Sequence, residues 1–267
     1  MENFLVKPNT KIKLSNWDPN TTAGFKGGKE EGLTALEKLN SKLEALQELL
    51  YAEHNHKVLV ILQAMDTGGK DGAIRRVFDR VNPVGVRAAS FKAPTQEELD
   101  HDFLWRIHKN VPARGELVIF NRSHYEDVLV VRVHNYVPKT VWRKRFDQIN
   151  EFERGLVENG TTILKFYLHI DTDEQKERLQ ARLDDPTKRW KFRLGDLEER
   201  KLWPKYMEAY EDLLSKTSTK YSPWYIVPAN QKWFRDLVIS TVLVDTLEGL
   251  KMKYPDSEEN LDGVVIE

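Results

Sequence analysis

The chain contains no cysteine, no long apolar run and no excess of basic residues. Because cysteine is absent from its 267 residues, a disulfide framework and a cysteine-ligated metal site are excluded. No stretch approaches the roughly 20 apolar residues that a membrane-spanning helix needs. The N-terminal segment also lacks the apolar core of a secretory signal. We therefore expect a cytoplasmic protein without a membrane partner.

The charges are balanced, with 41 lysine and arginine residues against 42 aspartate and glutamate residues and a formal net charge of −1. Proteins that grip nucleic acid through its phosphates usually carry a basic excess, so we expect no nucleic-acid partner. Any site for a polyanion must therefore be a local concentration of positive charge. The length fits one large domain, or one domain with an extension.

The stretch from residue 57 to residue 71 is the most informative part of the chain. An apolar run from Val58 to Leu62 predicts a buried strand over residues 58–64, which leads into Gly68, Gly69 and Lys70 at the start of a predicted helix. Glycines let backbone N–H groups turn toward phosphate oxygens, the lysine supplies charge, and the helix adds its positive dipole end. We interpret this stretch as a phosphate-binding loop. The alternative is an ordinary strand–turn–helix connection with a solvated lysine.

The loop departs from the strict pattern G-x-x-x-x-G-K-[ST] at two positions. Ala64 stands at the first glycine, and Asp71 stands where a hydroxyl residue would hold magnesium. Asp66 and Asp71 place two carboxylates beside a polyanion, which is favourable only if a cation lies between them. The sequence therefore predicts Mg²⁺ at this loop, with Mn²⁺ as an alternative.

A second polar cluster follows the third predicted strand. Asn121 ends that strand, where phosphate-loop enzymes usually carry an acid that helps to place Mg²⁺, and Glu126 and Asp127 follow it. Arg122 offers a guanidinium fork for phosphate oxygens. Parallel sheets bind ligands at the carboxyl ends of their strands, so we predict that this cluster belongs to the site. The alternative is a polar surface loop.

A basic segment lies between two predicted helices in the C-terminal half. Arg178 and Arg182 share a helix face, and residues 189–193 alternate cations with aromatic side chains. Such a segment is typical of a lid whose arginines neutralise charge on a transferred phosphoryl group. It would also suit single-stranded nucleic acid stacked on Trp190 and Phe192, or it is simply a solvated face. Further cations that could line a channel for a long polyanion are Arg75, Lys92, Arg132 and Lys165.

Strand and helix patterns alternate along the chain. Predicted strands cover residues 58–64, 85–91, 116–120, 161–170 and 224–227. Predicted helices cover residues 33–50, 69–80, 95–108, 138–159, 173–183, 196–214 and 231–250. This alternation predicts an α/β fold in which helices cover both faces of a parallel sheet, giving three layers.

The domain prediction has three parts. Residues 1–55 form an arm and a helix packed on the core, residues 56–251 form the main domain with a lid around 178–196, and residues 252–267 form a loose acidic tail. The leucines of the first helix recur every three or four positions, which indicates one apolar face. We favour packing on the domain for that face, and the alternative is a contact between subunits.

Taken together, the motifs resemble the polyphosphate kinase 2 family over nearly the whole chain. The segments that carry the resemblance are AMDTGGKDG at 64–72, residues 81–87, FNRSHYEDVLVVRVH at 120–134 and KRWKFRLGDLEER at 188–200. The resemblance implies a thymidylate-kinase-like phosphate-loop fold with a helical lid. It also implies Mg²⁺-dependent phosphate transfer between polyphosphate and nucleotides, in a homodimer or homotetramer. Asn121 and Glu126 resemble the branch that accepts both nucleoside mono- and diphosphates, so AMP and ADP would both be acceptors.

The resemblance also implies roles for individual residues. Asp66 and Asp127 would hold magnesium, Lys70 and Arg122 would act on the transferring group, and Glu126 would handle the acceptor. Further phosphate- or nucleotide-binding residues would be Thr67, Gly68, Gly69, Asp71, Gly72, Asn121, Arg178, Arg182 and Arg193. Two other hypotheses stay open: an ATP-dependent nucleoside or nucleoside-monophosphate kinase, and a polyanion- or RNA-binding module without catalysis.

Overall fold

A five-stranded parallel sheet forms the centre of the protein. The computed structural model describes residues 1–257 and 264–266. The strands are β1 (Lys57–Ala64), β2 (Val86–Ser90), β3 (Leu117–Asn121), β4 (Thr161–His169) and β5 (Trp224–Pro228). Their spatial order is β2-β3-β1-β4-β5, and every neighbouring pair is parallel. The predicted parallel sheet is therefore confirmed.

Helices cover both faces of this sheet, as the sequence predicts. They are α1 (Lys29–Glu53), α2 (Lys70–Val77), α3 (Gln96–Asp100), α4 (Trp105–His108), α5 (Val130–Val133), α6 (Lys139–Glu158), α7 (Thr172–Asp184), α8 (Gly195–Lys201), α9 (Trp203–Thr217) and α10 (Lys232–Gly249). One apolar core lies between the sheet and α1, α2 and α10. The other lies between the sheet and α4, α5, α6 and α9. Because β1 is central, its run from Val58 to Ala64 is buried throughout.

The order of the strands places two connecting loops side by side. Strands β1 and β3 are neighbours, and Leu62 near the end of β1 lies opposite Asn121 at the end of β3. The Arg122 N–H then donates to the Leu62 carbonyl over 3.1 Å. The chain leaves these two strands at the same edge of the sheet, which is where open parallel sheets bind ligands.

Two predicted helices are each divided in the structure. The predicted helix over 95–108 is observed as α3 and α4, with residues 101–104 between them. Its predicted capping box is confirmed, since Thr95 and Glu98 exchange hydrogen bonds at the start of α3. The predicted helix over 196–214 is observed as α8 and α9, separated at Leu202. Pro204 explains the second break, because proline is tolerated only in the first turn of a helix.

The N-terminal segment packs on the domain. Leu5 pairs with Tyr225 beside β5, and α1 lies along α10 with its leucines in the core. This packing supports the interpretation of the leucine face as a core face. Of the predicted tail, residues 252–257 form neither helix nor strand, while residues 258–263 and 267 lie outside the described residues. In the part of the chain that the structure describes, no helix is long and apolar enough to cross a membrane.

Candidate active site

The predicted phosphate loop follows β1 as a tight turn. The Gly68 N–H donates to the Met65 carbonyl over 3.0 Å, and a Cβ on Gly68 would lie only 2.5 Å from the Ala64 Cβ. Gly69 has a φ of +98°, so both glycines are required by the backbone. Thr67 has a φ of +61°, which is a strained conformation for a β-branched residue. Its buried hydroxyl finds no hydrogen-bond partner among the described residues, which leaves it available to a ligand.

Lys70 opens α2 with its side chain folded into the loop. The ammonium is buried and donates to the Ala64 carbonyl over 3.2 Å. Burial, with a smaller contribution from the nearby Arg122, lowers the pKa of Lys70 to about 8. Glu126, Asp66 and Asp71 oppose this shift, so three carboxylates surround the ammonium. A buried lysine with a single carbonyl partner is well placed to meet an anion.

Two arginines support the loop from behind. Arg178 of α7 donates to the carbonyls of Thr67 (3.0 Å), Ala229 (2.5 Å) and Asn230 (3.2 Å). Arg235 of α10 lies so close to Gly69 that a Cβ there would be 2.2 Å from its Nη1.

The guanidinium of Arg178 also pairs with Glu174 over 2.6 Å. Arg178 lines the site, but it is buried and tied to the backbone, so it does not belong to a movable lid. The predicted lid of 178–196 thus includes the C-terminal part of α7. The segment between the two helices is 185–194, and we call it the lid segment.

The end of β3 contributes the second half of the site. The Asn121 side-chain amide donates to Asp71 Oδ1 over 2.6 Å, which joins β3 to the first turn of α2. Arg122 has a φ of +64°, and the Glu126 carboxylate raises the pKa of its guanidinium. With its amide oriented to satisfy its neighbours, Gln63 donates to Glu126 Oε1 over 3.1 Å. Glu126 therefore lies beside Arg122 and Lys70, as the sequence predicts for a site residue.

Asp127 does not share this environment. Its carboxylate accepts a hydrogen bond from Arg145 over 2.8 Å and is not part of the cavity wall. Burial raises the pKa of Asp127 to about 6, although Arg145 and Arg106 oppose the shift. The structure thus pairs Asp127 with Arg145, and its predicted role as a magnesium ligand beside Asp66 stays a prediction. Both acids follow β3 on one short 3₁₀ helix (His124–Val128), on which successive side chains point about 120° apart.

A cavity of about 1370 Å³ extends over the loop. Thirteen lysine and arginine side chains line it, against four aspartates. The cations are Lys29, Lys70, Arg75, Arg76, Lys92, Arg122, Arg178, Arg182, Lys188, Lys191, Arg193, Lys232 and Arg235. The chain as a whole has a net charge of −1, so the predicted local concentration of positive charge is present here. Such a surface favours a polyanion.

Two of the predicted channel cations lie elsewhere. Lys165 is fully buried in the second core, where it pairs with Glu153 over 2.6 Å and donates to Tyr125 and to the Thr217 carbonyl. Arg132 lines a separate cavity of about 320 Å³ and pairs with Asp212 and Glu208. These two predictions are wrong, because each cation is committed to carboxylates of its own. Arg75 and Lys92, in contrast, lie on the wall of the large cavity.

The predicted magnesium can be tested against the donors present. Asp66 and Asp71 are on the cavity wall, and Glu126 is close to Lys70. Within residues 1–257 and 264–266, no three acidic or histidine side chains form a ready metal cluster. Mg²⁺ usually takes one or two carboxylates together with substrate phosphates and water, so oxygen donors of this kind fit it. Asp66 and Asp71 are the carboxylates of the loop that could hold such an ion, and the Arg182 guanidinium lies 3.8 Å from Asp66.

Sequence reasoning missed the contribution of α10. Lys232, Trp233 and Arg235 all line the cavity from the first turns of that helix. Cations at a helix N-terminus are disfavoured by the helix dipole, so a lysine and an arginine there signal a function that offsets this cost. Asp236 pairs with Arg235 over 2.6 Å.

Comparison with known proteins extends these observations. Residues 26–255 match the family model for polyphosphate kinase 2. A relative from Meiothermus ruber, called AMP/ADP-polyphosphate phosphotransferase, is 61% identical over the full length of both chains. A relative from Rhodopseudomonas palustris, called ADP-polyphosphate phosphotransferase, is 47% identical over 95% of this chain and 92% of its own.

A solved structure agrees with the sequence comparisons. The crystal structure of polyphosphate kinase 2 from Arthrobacter aurescens TC1 superposes with a TM-score of 0.92 at 44% identity. It covers 96% of this chain and 94% of that one. The predicted phosphate-loop kinase fold is thereby confirmed.

Proposed function

The chain belongs to the polyphosphate kinase 2 family, and we propose that it transfers the terminal phosphoryl group of inorganic polyphosphate to both AMP and ADP. Phosphorylation of nucleotides by polyphosphate is the activity of the family to which it belongs. The choice of both acceptors rests on the relative from Meiothermus ruber, whose name includes AMP and ADP. Asn121 and Glu126 support the same choice through the resemblance described above.

One observation carries the proposal more than any other. The phosphate loop opens into a cavity with thirteen cationic side chains, far more than are needed to neutralise the phosphates of a single nucleoside triphosphate. An ATP-dependent nucleotide kinase would bind three phosphates next to Lys70, whereas this surface continues through Arg75 and Arg76 to Lys29. A long inorganic polyanion matches that extent of charge.

The chemistry requires little more than position and charge. An oxygen of the acceptor phosphate attacks the terminal phosphorus of polyphosphate, and the bond from that phosphorus to the bridging oxygen breaks. The shortened chain leaves with the electron pair of that bond, so no covalent enzyme intermediate is needed. Lys70 and Arg122 neutralise the charge that spreads over the transferred group. The same site catalyses the reverse direction.

We propose that Asp66 and Asp71 hold Mg²⁺ at the loop, with Mn²⁺ as a substitute. The bound ion would offset the repulsion between these carboxylates and the substrate phosphates and would polarise a phosphoryl oxygen. The Arg182 guanidinium, 3.8 Å from Asp66, would share this carboxylate with the ion. Removal of the metal is therefore expected to abolish turnover.

The acceptor end of the site is assigned to Glu126. Its carboxylate raises the pKa of Arg122, and it adds to the rise that burial causes in the pKa values of Tyr206 and Tyr210 of α9. A carboxylate here competes with acceptor phosphates for Arg122. We therefore propose that Glu126 sets how an acceptor with one phosphate is distinguished from an acceptor with two.

The test measures ATP formation from AMP, and separately from ADP, with long-chain polyphosphate and Mg²⁺ and with an EDTA control. We expect signal with both acceptors and none after chelation. Signal with ADP alone would contradict the acceptor proposal. Turnover with ATP as donor but not with polyphosphate would instead favour an ATP-dependent kinase. Salt-dependent binding of polyphosphate without any turnover would favour a binding module.

We further propose that the enzyme works in the cytoplasm as a homodimer or homotetramer. Its substrates are intracellular nucleotides, and the oligomer is what the family resemblance implies. Light scattering coupled to size-exclusion chromatography gives the mass in solution. A mass close to that of one 31.2 kDa chain would contradict the oligomer.

A further inference from the structure

Gln175, in the first turn of α7, uses both ends of its side-chain amide. Its Nε2 donates to the Asp66 carbonyl over 3.1 Å, and its Oε1 accepts a hydrogen bond from Arg200 over 2.9 Å. The side chain is only 2% exposed. The reversed amide would place oxygen against a carbonyl and nitrogen against a guanidinium, so the network fixes its orientation. Gln175 therefore forms a bridge with a defined direction.

The two ends of this bridge belong to different functional parts. Asp66 is in the phosphate loop, directly before the strained Thr67. Arg200 is in α8, the helix that follows the lid segment, and it also donates to the Thr172 carbonyl over 2.8 Å. The lid segment carries Lys188, Lys191 and Arg193 to the wall of the large cavity. The phosphate loop and α8, the helix that follows the lid segment, are thus joined through one buried glutamine.

The phosphate loop depends on α7 for its shape. Gln175 holds the carbonyl of Asp66, and Arg178, one turn later, holds the carbonyl of Thr67. A backbone conformation such as that of Thr67 persists only when its surroundings over-determine it. Two successive carbonyls held by one helix provide that restraint.

We infer that Gln175 is a positioning residue that couples the lid segment to the phosphate loop. A polyphosphate chain seated on the loop stabilises the position of Asp66, and the bridge through Gln175 transmits this to Arg200 and α8. By reciprocity, ordering of the lid segment favours the loop conformation that binds phosphate. The inference rests on the proposed function, since it takes polyphosphate as the ligand of the loop.

The first test measures hydrogen exchange of residues 185–194 with and without polyphosphate, in the wild-type protein and in Gln175→Ala. In the wild type, we expect polyphosphate to slow exchange in this segment by about fivefold or more, which is the lower range of typical coupling. In Gln175→Ala, polyphosphate should still bind, but the slowing should largely disappear. Equal slowing in both proteins, or none in the wild type, would overturn the inference.

A matched control is available on the same helix. Gln180 is exposed and hydrogen-bonds only to Asp184 at the end of α7, away from the loop. Gln180→Ala should therefore respond to polyphosphate like the wild type. If Gln180→Ala lost the response as well, a general loosening of α7 would replace the bridge as the explanation.

A double-mutant cycle gives a second, independent readout. Gln175→Ala and Arg200→Ala should each lower kcat/KM by about tenfold to 100-fold, since small displacements of the loop have effects of that size. The kcat/KM of the double variant should be no lower than that of the less active single variant, because both changes remove the same bridge. Multiplicative effects would overturn the inference. If Gln175→Ala does not fold, Gln175→Glu replaces it, since it keeps the acceptor for Arg200 and removes the donor to Asp66.

The outcomes separate this inference from the proposed function. Hydrogen exchange requires only that polyphosphate binds, whereas turnover tests the transfer itself. If the wild-type protein formed ATP from polyphosphate but showed no bridge-dependent protection, the proposed function would stand and this inference would be rejected. If the protein bound polyphosphate with bridge-dependent protection but showed no turnover, the inference would stand and the proposed function would be rejected.

Discussion

The side-chain amide of Asn121 hydrogen-bonds Asp71 over 2.6 Å, across the gap between the end of β3 and the first turn of α2. An amide at this position neutralises none of the charge on Asp71 but satisfies one of its oxygens. A carboxylate in its place would face Asp71 directly. The mouth of the site therefore tolerates an acid at residue 121 only when a cation is present.

Asn121→Asp tests this relationship. We expect it to lower the melting temperature in EDTA by about 2 to 4 °C, the shift that about 1 kcal/mol causes in a domain of this size. Added Mg²⁺ should restore most of this loss, because the ion bridges the two carboxylates. Asn121→Ala is the control, since it removes the hydrogen bond without adding charge. A Mg²⁺ response equal to that of the control would show that no cation binds between the two positions.

Lys70→Met should separate stability from activity. Burial lowers the pKa of Lys70 to about 8, below its value in the unfolded chain. At neutral pH the folded protein must therefore bury a charged ammonium, which lowers its stability. The unfolded state binds more protons between about pH 8 and 10.5, and the contribution of Lys70 to stability therefore rises with pH in that window. Lys70→Met should stabilise the ligand-free protein at pH 7 by about 1 to 3 kcal/mol. It should also lower kcat by about 100-fold to 1000-fold.

Urea unfolding at pH 7 and pH 9.5 provides the measurement. The gain in stability from Lys70→Met should shrink at the higher pH, where the wild-type lysine is neutral in the folded state. A gain that does not depend on pH would mean that packing, and not the buried charge, is responsible.

Glu126→Asn should lower kcat/KM for AMP more than for ADP. Removing the carboxylate frees Arg122, whose pKa Glu126 raises, and so changes how acceptor phosphates are held. Asp127→Asn is the matched control, because the adjacent acid is paired with Arg145 and not with Arg122. It should affect both acceptors equally. Equal effects of Glu126→Asn on the two acceptors would remove its assignment to acceptor selection.

Lys165→Met should destabilise the fold without acting on the site. It leaves Glu153 buried beside His124 with no cation, and loss of one partner of a buried pair typically costs about 3 to 5 kcal/mol. Burial raises the pKa of Glu153, but Lys165 and His124 outweigh this effect and lower the pKa to about 2. The contribution of Glu153 to stability is therefore complete above about pH 4.5 and is lost as the pH falls toward 2.

Chemical unfolding at pH 7 checks this prediction, with Arg154→Met as the control. Arg154 and Glu151 form an exposed ion pair on α6, and its loss should change stability by no more than about 0.5 kcal/mol. Folded Lys165→Met protein should keep its kcat below its melting temperature. A lower kcat in fully folded Lys165→Met protein would mean that Lys165 contributes to the substrate channel after all.

The sheet and the phosphate loop could be predicted because their signals are local. An apolar run of strand length followed by Gly68, Gly69 and Lys70 leaves few alternative structures. The breaks between α3 and α4 and between α8 and α9 were missed, although Pro204 marks the second one. Helical periodicity continues across a short interruption, so the pattern alone does not show where a helix ends.

Long-range partners were the part that the sequence could not supply. Lys165 and Arg75 are both cations near predicted site elements, yet one meets a buried glutamate and the other faces the cavity. A lysine within the apolar strand β4 was the available signal, because a fully buried lysine needs a partner. Glu126 and Asp127 are adjacent in sequence, and only the 3₁₀ helix decides which of them turns toward Lys70.

Arg235 behind Gly69 has a consequence for how the protein is made. The loop is complete by residue 70, but the second of the two arginines that support it follows only at residue 235. A growing chain on the ribosome therefore carries a phosphate loop that lacks the second of its two supporting arginines until α10 has been synthesised. The full set of side chains around the phosphate loop is therefore present only after α10 has been made, and a chain truncated before α10 lacks Arg235 altogether.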